Sequence, residues 1–488
     1  MLGVKTKTDD GNKTMRWDFR RLGDDRPAVL RESARAVTPF GGLVVLVEFW
    51  RELGLLAAVR ERLPFTYTSP NAIGAAETLL AFWLSVTAGA RRFAHVNLVR
   101  GDVALRQLLG WRRWPGDDAV RDFFGRFEWK QIEEFFPALT QWLLAKLPTQ
   151  VVTLDLDSTI FERFGQQEGA RKGYHPRKPG RRSHHPILAV LAEPVFILHA
   201  WLRRGDTTAG RGVRAFLTEA LALLPAGWQV RTLRADSGFF DGAFLDFLEE
   251  RTLPYVIVAR LTTTLKLRLA GLGGWRELDG DYAVTEFAAR LQGWSRERRF
   301  VVVRERIRET KAAVGRKLLD VPGYTYRLFV TNRAESPEGL WRDYNRRATM
   351  EQRIDELKHD LAADDFCRRS FFATEAAFRA VVALFNLLSL WQTATRPASA
   401  ASAGPGQPAR HRRPATLRTE VFICGAIAGR DGRRPVLHLS QSWGGLHTRK
   451  PLIEQSLVWV RAIPPPLQNP PNRQTKLLLN STADPTQN

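Results

Sequence analysis

The sequence predicts an α/β fold: a mixed sheet with flanking helices, preceded by an N-terminal helical domain and interrupted by a β-rich insertion. Three observations predict it. Apolar residues recur at helical spacing through the first third of the chain. From Val151 the period shortens to two, and strand-like runs then alternate with helical ones as far as Arg260. A further block of alternating, strand-type sequence separates that region from two more helices.

Residues 1–36 are polar and charged, with little apolar periodicity, and read as a flexible basic arm. Over residues 37–150 apolar stripes at 43–59, 75–87 and 119–147 mark helices, separated by turn signals such as Ser69-Pro70-Asn71 and Pro115-Gly116-Asp117-Asp118. This N-terminal helical domain is a possible DNA-end-binding domain, because Trp111, Arg112, Arg113 and Trp114 could touch DNA. Packing is the commoner fate of such residues. Strands are predicted at 151–159, 187–192, 195–202, 228–235 and 255–260, with Glu193-Pro194 connecting the second and third. A helix capped by Thr207 or Thr208 carries Val213, Phe216, Leu217, Ala220, Leu221 and Leu224 on one face, and another covers 241–251. The order β-β-β-α-β-α-β is that of an RNase H-like core, whose first part is 151–260. The β-rich insertion is 261–335, with strands at 282–287, 299–307 and 326–331. The second part of the core, 336–393, has helices at 337–361 and 374–391. Residues 394–415, rich in Ala, Pro, Ser and Gly, read as a linker. A small C-terminal unit at 416–462 follows, and 463–488 as a disordered tail.

With 488 residues, 44% of them apolar, the chain can bury a large core in more than one domain, which excludes a single small module. Its formal charge is +22, and only 13 of the 73 basic residues are Lys. Arginine pairs bidentately with phosphate, so a polyanionic partner is indicated, although a GC-rich coding sequence would also inflate arginine. Two cysteines, Cys367 and Cys424, make neither a cysteine-rich zinc site nor a disulfide framework and fit a reducing cytoplasm. Apolar stretches such as 381–391, broken by Asn386 and Ser389, are shorter than the roughly 20 residues of a bilayer span. The N-terminus lacks a signal-peptide pattern, so no membrane partner is expected.

In Thr153-Leu154-Asp155-Leu156-Asp157-Ser158-Thr159 the period-two alternation puts Asp155 and Asp157 on one strand face and the leucines on the other. Two carboxylates side by side in an apolar strand repel each other and lose hydration, which a cation would relieve; a turn cap with Ser158 is the plainer alternative. Asp236, in Arg234-Ala235-Asp236-Ser237-Gly238, ends a predicted strand, where ligands bind in open α/β sheets, though Asp-Ser-Gly is also an ordinary turn. In the helix at 337–361, Tyr344, Arg347, Glu351 and Lys358 fall within roughly 60° of one another at 100° per residue. Asp355 and Glu356 are rivals to Glu351, and a solvated charged face would look similar. His175, His184 and His185 cluster without cysteines and form no recognisable zinc pattern.

The spacing Tyr344, Arg347, Glu351, Lys358 resembles the signature of bacterial insertion-sequence DDE transposases: Tyr, two residues, Arg, three residues, Glu, six residues, Lys. Asp157, followed by Ser158 and Thr159, resembles that family's first acid better than Asp155 does, and Asp236 resembles the second. The 114 residues between Asp236 and Glu351 resemble the group with an all-β insertion there. Gly173-Tyr174-His175-Pro176 and His184-His185-Pro186 resemble one subgroup closely. The likeness covers about residues 37–395. It implies cut-and-paste DNA transposition: metal-dependent strand cleavage and strand transfer at terminal inverted repeats. Asp157, Asp236 and Glu351 would be the catalytic acids and the ligands of Mg²⁺ or Mn²⁺, two ions per active site, and Tyr344, Arg347 and Lys358 would contact phosphates. The implied partners are double-stranded DNA at the inverted repeats and the target, with a dimer on paired ends, in a bacterial cytoplasm at the nucleoid. The alternatives are an RNase H-like nuclease without strand transfer and a catalytically inactive, transposase-derived DNA-binding protein.

Overall fold

The computed structural model describes residues 16–21, 23, 27–173, 178–306, 324–395, 411–442 and 446–462. Within the expected arm, Arg16–Arg20 (β1) and Pro27–Arg31 (β2) form an antiparallel pair, so this part of it is not featureless. Val37–Thr38 (β3) leads into helices α1 (Leu43–Leu53), α2 (Leu55–Arg62), α3 (Ala75–Thr87), α4 (Val96–Arg100), α5 (Val103–Leu108), α6 (Asp117–Gly125) and α7 (Trp129–Leu144). Two of the expected long helices are broken for local reasons. Gly54 takes φ +75°, a left-handed conformation that glycine adopts at least cost, and so ends α1. The stretch at 119–147 is divided before Glu128, which starts α7 with a reciprocal capping box to Gln131.

The next elements build the main sheet. They are β4 (Val151–Ser158), then short strands β5 (Phe161–Glu162), β6 (Arg171–Lys172) and β7 (Arg182–His184), which form a small sheet of their own, then β8 (Ile187–Leu191) and β9 (Phe196–Trp201). Helix α8 (Val213–Ala222), β10 (Gln229–Ala235), α9 (Gly242–Glu250), β11 (Tyr255–Val258) and α10 (Thr263–Ala270) follow. Strands β12 (Arg276–Glu277), β13 (Tyr282–Ala289), β14 (Arg298–Arg306) and β15 (Tyr324–Thr331) complete it. The nine strands lie in the order β12-β13-β14-β15-β11-β10-β4-β8-β9. β10 runs parallel to both β4 and β11, and every other pairing is antiparallel. β4 is therefore interior, with Val152, Leu154 and Leu156 fully buried. The strands between 276 and 331 are not a detached module: β15 pairs with β11, so they lengthen the same sheet.

Beyond the sheet come α11 (Pro337–Asn345), α12 (Ala348–Asp355) and α13 (Phe371–Ala394). The single helix expected over 337–361 is interrupted at Arg346 and Arg347, where Arg347 N donates to Tyr344 O and Met350 N to Arg347 O, a tighter turn than an α-helix. Glu356–Asp360 then widens into a π-helical turn. α13, at 24 residues, is longer than the apolar run at 381–391 suggested, and by length and composition it could cross a membrane. Its apolar surface is accounted for by packing, since 89% of its most hydrophobic stretch is buried against β9, α7, α6 and α3. Even its polar side chains are employed: Asn386 bonds both the N–H and the C=O of Ile197 on the edge strand β9, at 2.8 and 2.9 Å. Arg379 neutralises Glu375 and Glu133 at 2.8 and 2.9 Å inside the core.

The last elements, α14 (Pro414–Leu417), β16 (Ala426–Asp431), β17 (Arg434–Leu439) and α15 (Leu446–Ala462), return to the start of the chain. β16 pairs with β3 and with β17, and α15 packs on α1. Most of the expected linker at 394–415, the tail at 463–488 and His175 lie outside the described residues.

Candidate active site

Because β4 and β10 are parallel and adjacent, with Arg234 opposite Asp155 and Ala235 opposite Leu156, the next residue of each strand brings Asp236 level with Asp157. The two strands thus present two matched pairs. In the first, Asp155 and Arg234 close on each other: Nε and Nη2 of Arg234 donate to the two carboxylate oxygens, each at 2.7 Å. Both side chains are 2% exposed. Burial pushes the Asp155 carboxyl up and the Arg234 hydrogen bonds hold it back. With both oxygens engaged by a buried guanidinium, Asp155 is a structural ion pair.

The second pair sets two acids level with each other, with no cation between them from either strand. Asp157 Oδ1 accepts the Ser158 N–H at 2.7 Å, and Oδ2 lies 3.0 Å from Arg347 Nη2. Burial pushes its carboxyl up to about 6, against the pull of Arg347, with the charges of Asp236 and then Glu351 adding to the rise. The acids that the sequence singled out on three separate segments therefore act on one another here. Asp236 caps the turn after β10 by accepting the Gly238 N–H at 3.0 Å. Gly238 is required there, since a Cβ would stand 2.7 Å from that of Ala209.

Glu351 is exposed at the start of α12, immediately after the tight turn that aims Arg347 under β4. Its two rivals are tied up elsewhere. Asp355 pairs with Arg413 and His359, each at 2.5 Å, and the fully buried Glu356 lies 3.0 Å from His411 and 3.3 Å from Arg353. Arg347, 6% exposed, also donates to Leu156 O at 2.8 Å, while its buried Nε has no hydrogen-bond partner.

Tyr344 is mostly buried, its ring packed on Phe329 at 4.8 Å and its hydroxyl raised by burial, within the fields of Arg347, Asp236 and Asp157. Lys358 does not join the acids: Nζ donates to Ile160 O at 3.1 Å, and among the described residues no hydrogen bond or ion pair links it to any of the three. The single stripe expected from Tyr344 to Lys358 does not survive the broken helix, because Lys358 lies in the π-helical turn.

Sequence reasoning passed over Arg234, although its position two residues before Asp236 mirrors Asp155 before Asp157, a pattern visible in the sequence. It singled out His185 only as one of a histidine cluster. Its Nδ1 donates to Thr207 O at 2.5 Å, which leaves Nε2 to accept the Ser158 hydroxyl at 3.2 Å. Burial lowers its pKa and favours that neutral form. His184 is structural, accepting from Arg163 Nε at 2.9 Å and donating to Glu168 O at 2.8 Å, with its pKa pushed down to about 4 by burial.

Among the described residues, no three His, Cys, Asp or Glu side chains are gathered closely enough to hold a metal ion as they stand. The donor chemistry nevertheless fits a hard divalent cation. Two carboxylates stand where β4 and β10 end and a third at the start of α12; burial, with the charges of Asp236 and Glu351 added to it, drives Asp157 towards protonation, and the Arg347 guanidinium now balances it.

A family model described as transposase DDE domain, group 1, matches residues 21–453. No curated protein matches the chain in sequence. Among solved structures, the piggyBac transposase in a cryo-EM synaptic complex with hairpin DNA is similar over 80% of this chain and 84% of that chain, at 12% identity and a TM-score of 0.43.

Proposed function

Because the chain belongs to the transposase DDE domain group 1 family, we propose that it cuts and rejoins DNA at the terminal inverted repeats of a bacterial insertion sequence, using Asp157, Asp236 and Glu351. One observation carries the assignment of these acids: β4 and β10 pair so that Asp236 comes level with Asp157, and the charges of Asp236 and Glu351 add to burial in pushing the Asp157 carboxyl up, although 78 residues lie between Asp157 and Asp236 and 193 between Asp157 and Glu351. The sheet order β9-β8-β4-β10-β11, with β4, β10 and β11 parallel, supports reading the core as RNase H-like. The strands from 276 to 331 would then be the insertion, residues 37–150 a domain that binds DNA ends, and 416–462 a small closing unit.

In this reading the three carboxylates hold Mg²⁺ or Mn²⁺, two ions per site, which would activate the attacking water or 3′-hydroxyl and stabilise the leaving oxygen. Asp157 enters with one oxygen fixed by the Ser158 amide, so its orientation is set before DNA arrives. Arg347 has an unpartnered Nε–H to offer a phosphate oxygen, with Tyr344 beside it. Lys358, held at Ile160 O just after β4, would also contact a phosphate near the scissile bond. Joining two ends calls for a dimer on paired ends, acting at the nucleoid of a bacterial cytoplasm.

The test is a cleavage and strand-transfer assay on DNA carrying the flanking repeats, with Mg²⁺ or Mn²⁺, comparing wild type with Glu351→Gln. The expected result is that wild type cuts and joins while the variant only binds. Cutting without joining would make the protein a nuclease, and binding without cutting under either metal would make it an inactive DNA-binding relative.

A further inference from the structure

Away from the acids, the N-terminal helices enclose a groove of about 650 Å³ between the loop at 66–73, the ends of α4 and α5, the turn before α6, and α6 itself. Arg100, Arg106, Arg112, Arg113 and Arg126 line it, against a single carboxylate, Asp122. None of the five arginines forms an ion pair among the described residues. This contrasts with the neighbouring Arg121, which is held by Asp117 and Asp118. Two of the five are braced by uncharged groups: Arg113 donates to Asn71 O at 2.9 Å, and Arg126 stacks over the Tyr67 ring at 4.8 Å. Both contacts fix a guanidinium in place without neutralising it.

A second observation points the same way. Trp114 lines the groove and is 4% exposed, yet its indole Nε1 has no hydrogen-bond partner. An indole N–H is a donor only, and guanidinium groups are donors only, so what the groove lacks is an acceptor with negative charge. A phosphodiester supplies both, and a run of phosphates can serve several arginines at once.

We propose that this groove grips the phosphate backbone of duplex DNA, at a site separate from the acids, so that the N-terminal helices hold a DNA end while the sheet acts on it. The proposal rests on the transposase reading for its choice of duplex DNA among polyanions. Phosphate contacts position a protein on DNA without reading sequence, so the groove contributes affinity and register equally on any duplex.

The experiment measures binding of the full chain to a labelled duplex carrying the terminal repeat, and to a scrambled duplex, by fluorescence anisotropy in EDTA over a range of salt. The variants are Arg100→Gln with Arg106→Gln and Arg112→Gln, and the same three positions changed to Lys. Each lost phosphate contact lowers the salt slope by about 0.9, so the Gln triple variant should lose about 2.7 in slope. Between about 50 and 200 mM salt its affinity should therefore fall about 40-fold less than that of wild type. It should be weaker by the same factor on both duplexes, and the Lys triple variant should recover the slope. A Gln variant with wild-type slope and affinity overturns the proposal. So does equally weakened binding in both the Gln and the Lys variants with the slope unchanged, which would mark a structural defect. Failure of the transposase reading would look different, with wild-type binding and salt dependence intact but no cleavage under Mg²⁺ or Mn²⁺.

Discussion

Replacing Asp155 by Asn tests whether the two aspartates of β4 have been told apart correctly. In the wild type, Arg234 is 2% exposed and places two N–H groups on the Asp155 carboxylate at 2.7 Å each. Removing the carboxylate charge leaves a guanidinium in the core without its main counter-ion, a defect that costs about 3–5 kcal/mol in general. Here the lower end applies, because Arg234 keeps the Asp343 carbonyl at 2.6 Å and that residue's carboxylate at 3.6 Å. A loss of about 3 kcal/mol is a large part of the roughly 5–15 kcal/mol that holds a typical protein folded, so it should be plain in a urea unfolding curve. The double variant Asp155→Leu with Arg234→Met removes both charges and should recover most of the loss, as buried ion pairs generally do when replaced as a unit. It should also retain DNA cleavage. Asp157→Asn should do the reverse, abolishing cleavage while the chain unfolds no earlier than wild type. The reasoning fails if Asp155→Asn unfolds normally but cannot cut, or if Asp157→Asn cuts.

The raised carboxyl of Asp157 makes a prediction about pH. Its pKa in the folded chain, about 6, lies above the ordinary 3.8, so its stabilising contribution is complete below about pH 4 and is lost as pH rises through 6. In EDTA, wild type should therefore lose about 3 kcal/mol relative to Asp157→Asn between those limits, and parallel pH profiles of the two proteins would contradict it. Divalent metal should offset this loss: Mn²⁺ at about 100 times its dissociation constant adds about 2.7 kcal/mol to a protein that binds it only when folded. The melting temperature at pH 7 should rise for wild type and not for Asp236→Asn, and an equal rise in both would remove Asp236 from the ligand set. In Gly42→Ala, the new methyl group would stand 1.8 Å from the Val421 carbonyl oxygen, so the C-terminal elements should separate from α1. The variant should then melt at a lower temperature than wild type, and an unchanged melting temperature would mean the contact can yield.

Much of this arrangement was legible in the sequence because it depends on local periodicity. The alternation of Leu154 and Leu156 with Asp155 and Asp157 marks an interior strand, and the strand is there. What could not be read was register. In the sequence only the resemblance sets Asp157 apart from Asp155; the physical difference, Arg234 lying opposite Asp155, is a fact of pairing between two strands 70 residues apart. The helix carrying Glu351 shows a different limit. A uniform 100° per residue keeps Tyr344, Arg347, Glu351 and Lys358 on one stripe, whereas the tight turn at Arg347 and the wide turn at Lys358 alter the rotation. Each irregularity coincides with a tertiary bond, Arg347 reaching Leu156 O and Lys358 reaching Ile160 O, and neither bond leaves a mark in composition. The extension of the sheet beyond β11 was hidden for the same reason, since strand character does not say which edge a strand will join.

The two acid pairs at the junction of β4 and β10 explain each other. Asp155 next to Asp157 on one strand face would be doubly destabilising if both were left to solvent or to each other. Arg234 neutralises Asp155 so thoroughly that it becomes part of the core, which leaves room for a second, only partly compensated cluster one step further along. There Arg347 meets only one oxygen of Asp157 and leaves its own Nε unpartnered, while Asp236 and Glu351 add negative charge. A site built only for stability would have repeated the Arg234 solution, with a second cation closing on both oxygens. The asymmetry puts the unspent electrostatic energy at the C-terminal ends of two parallel strands, where an incoming cation and a phosphate can each find a partner.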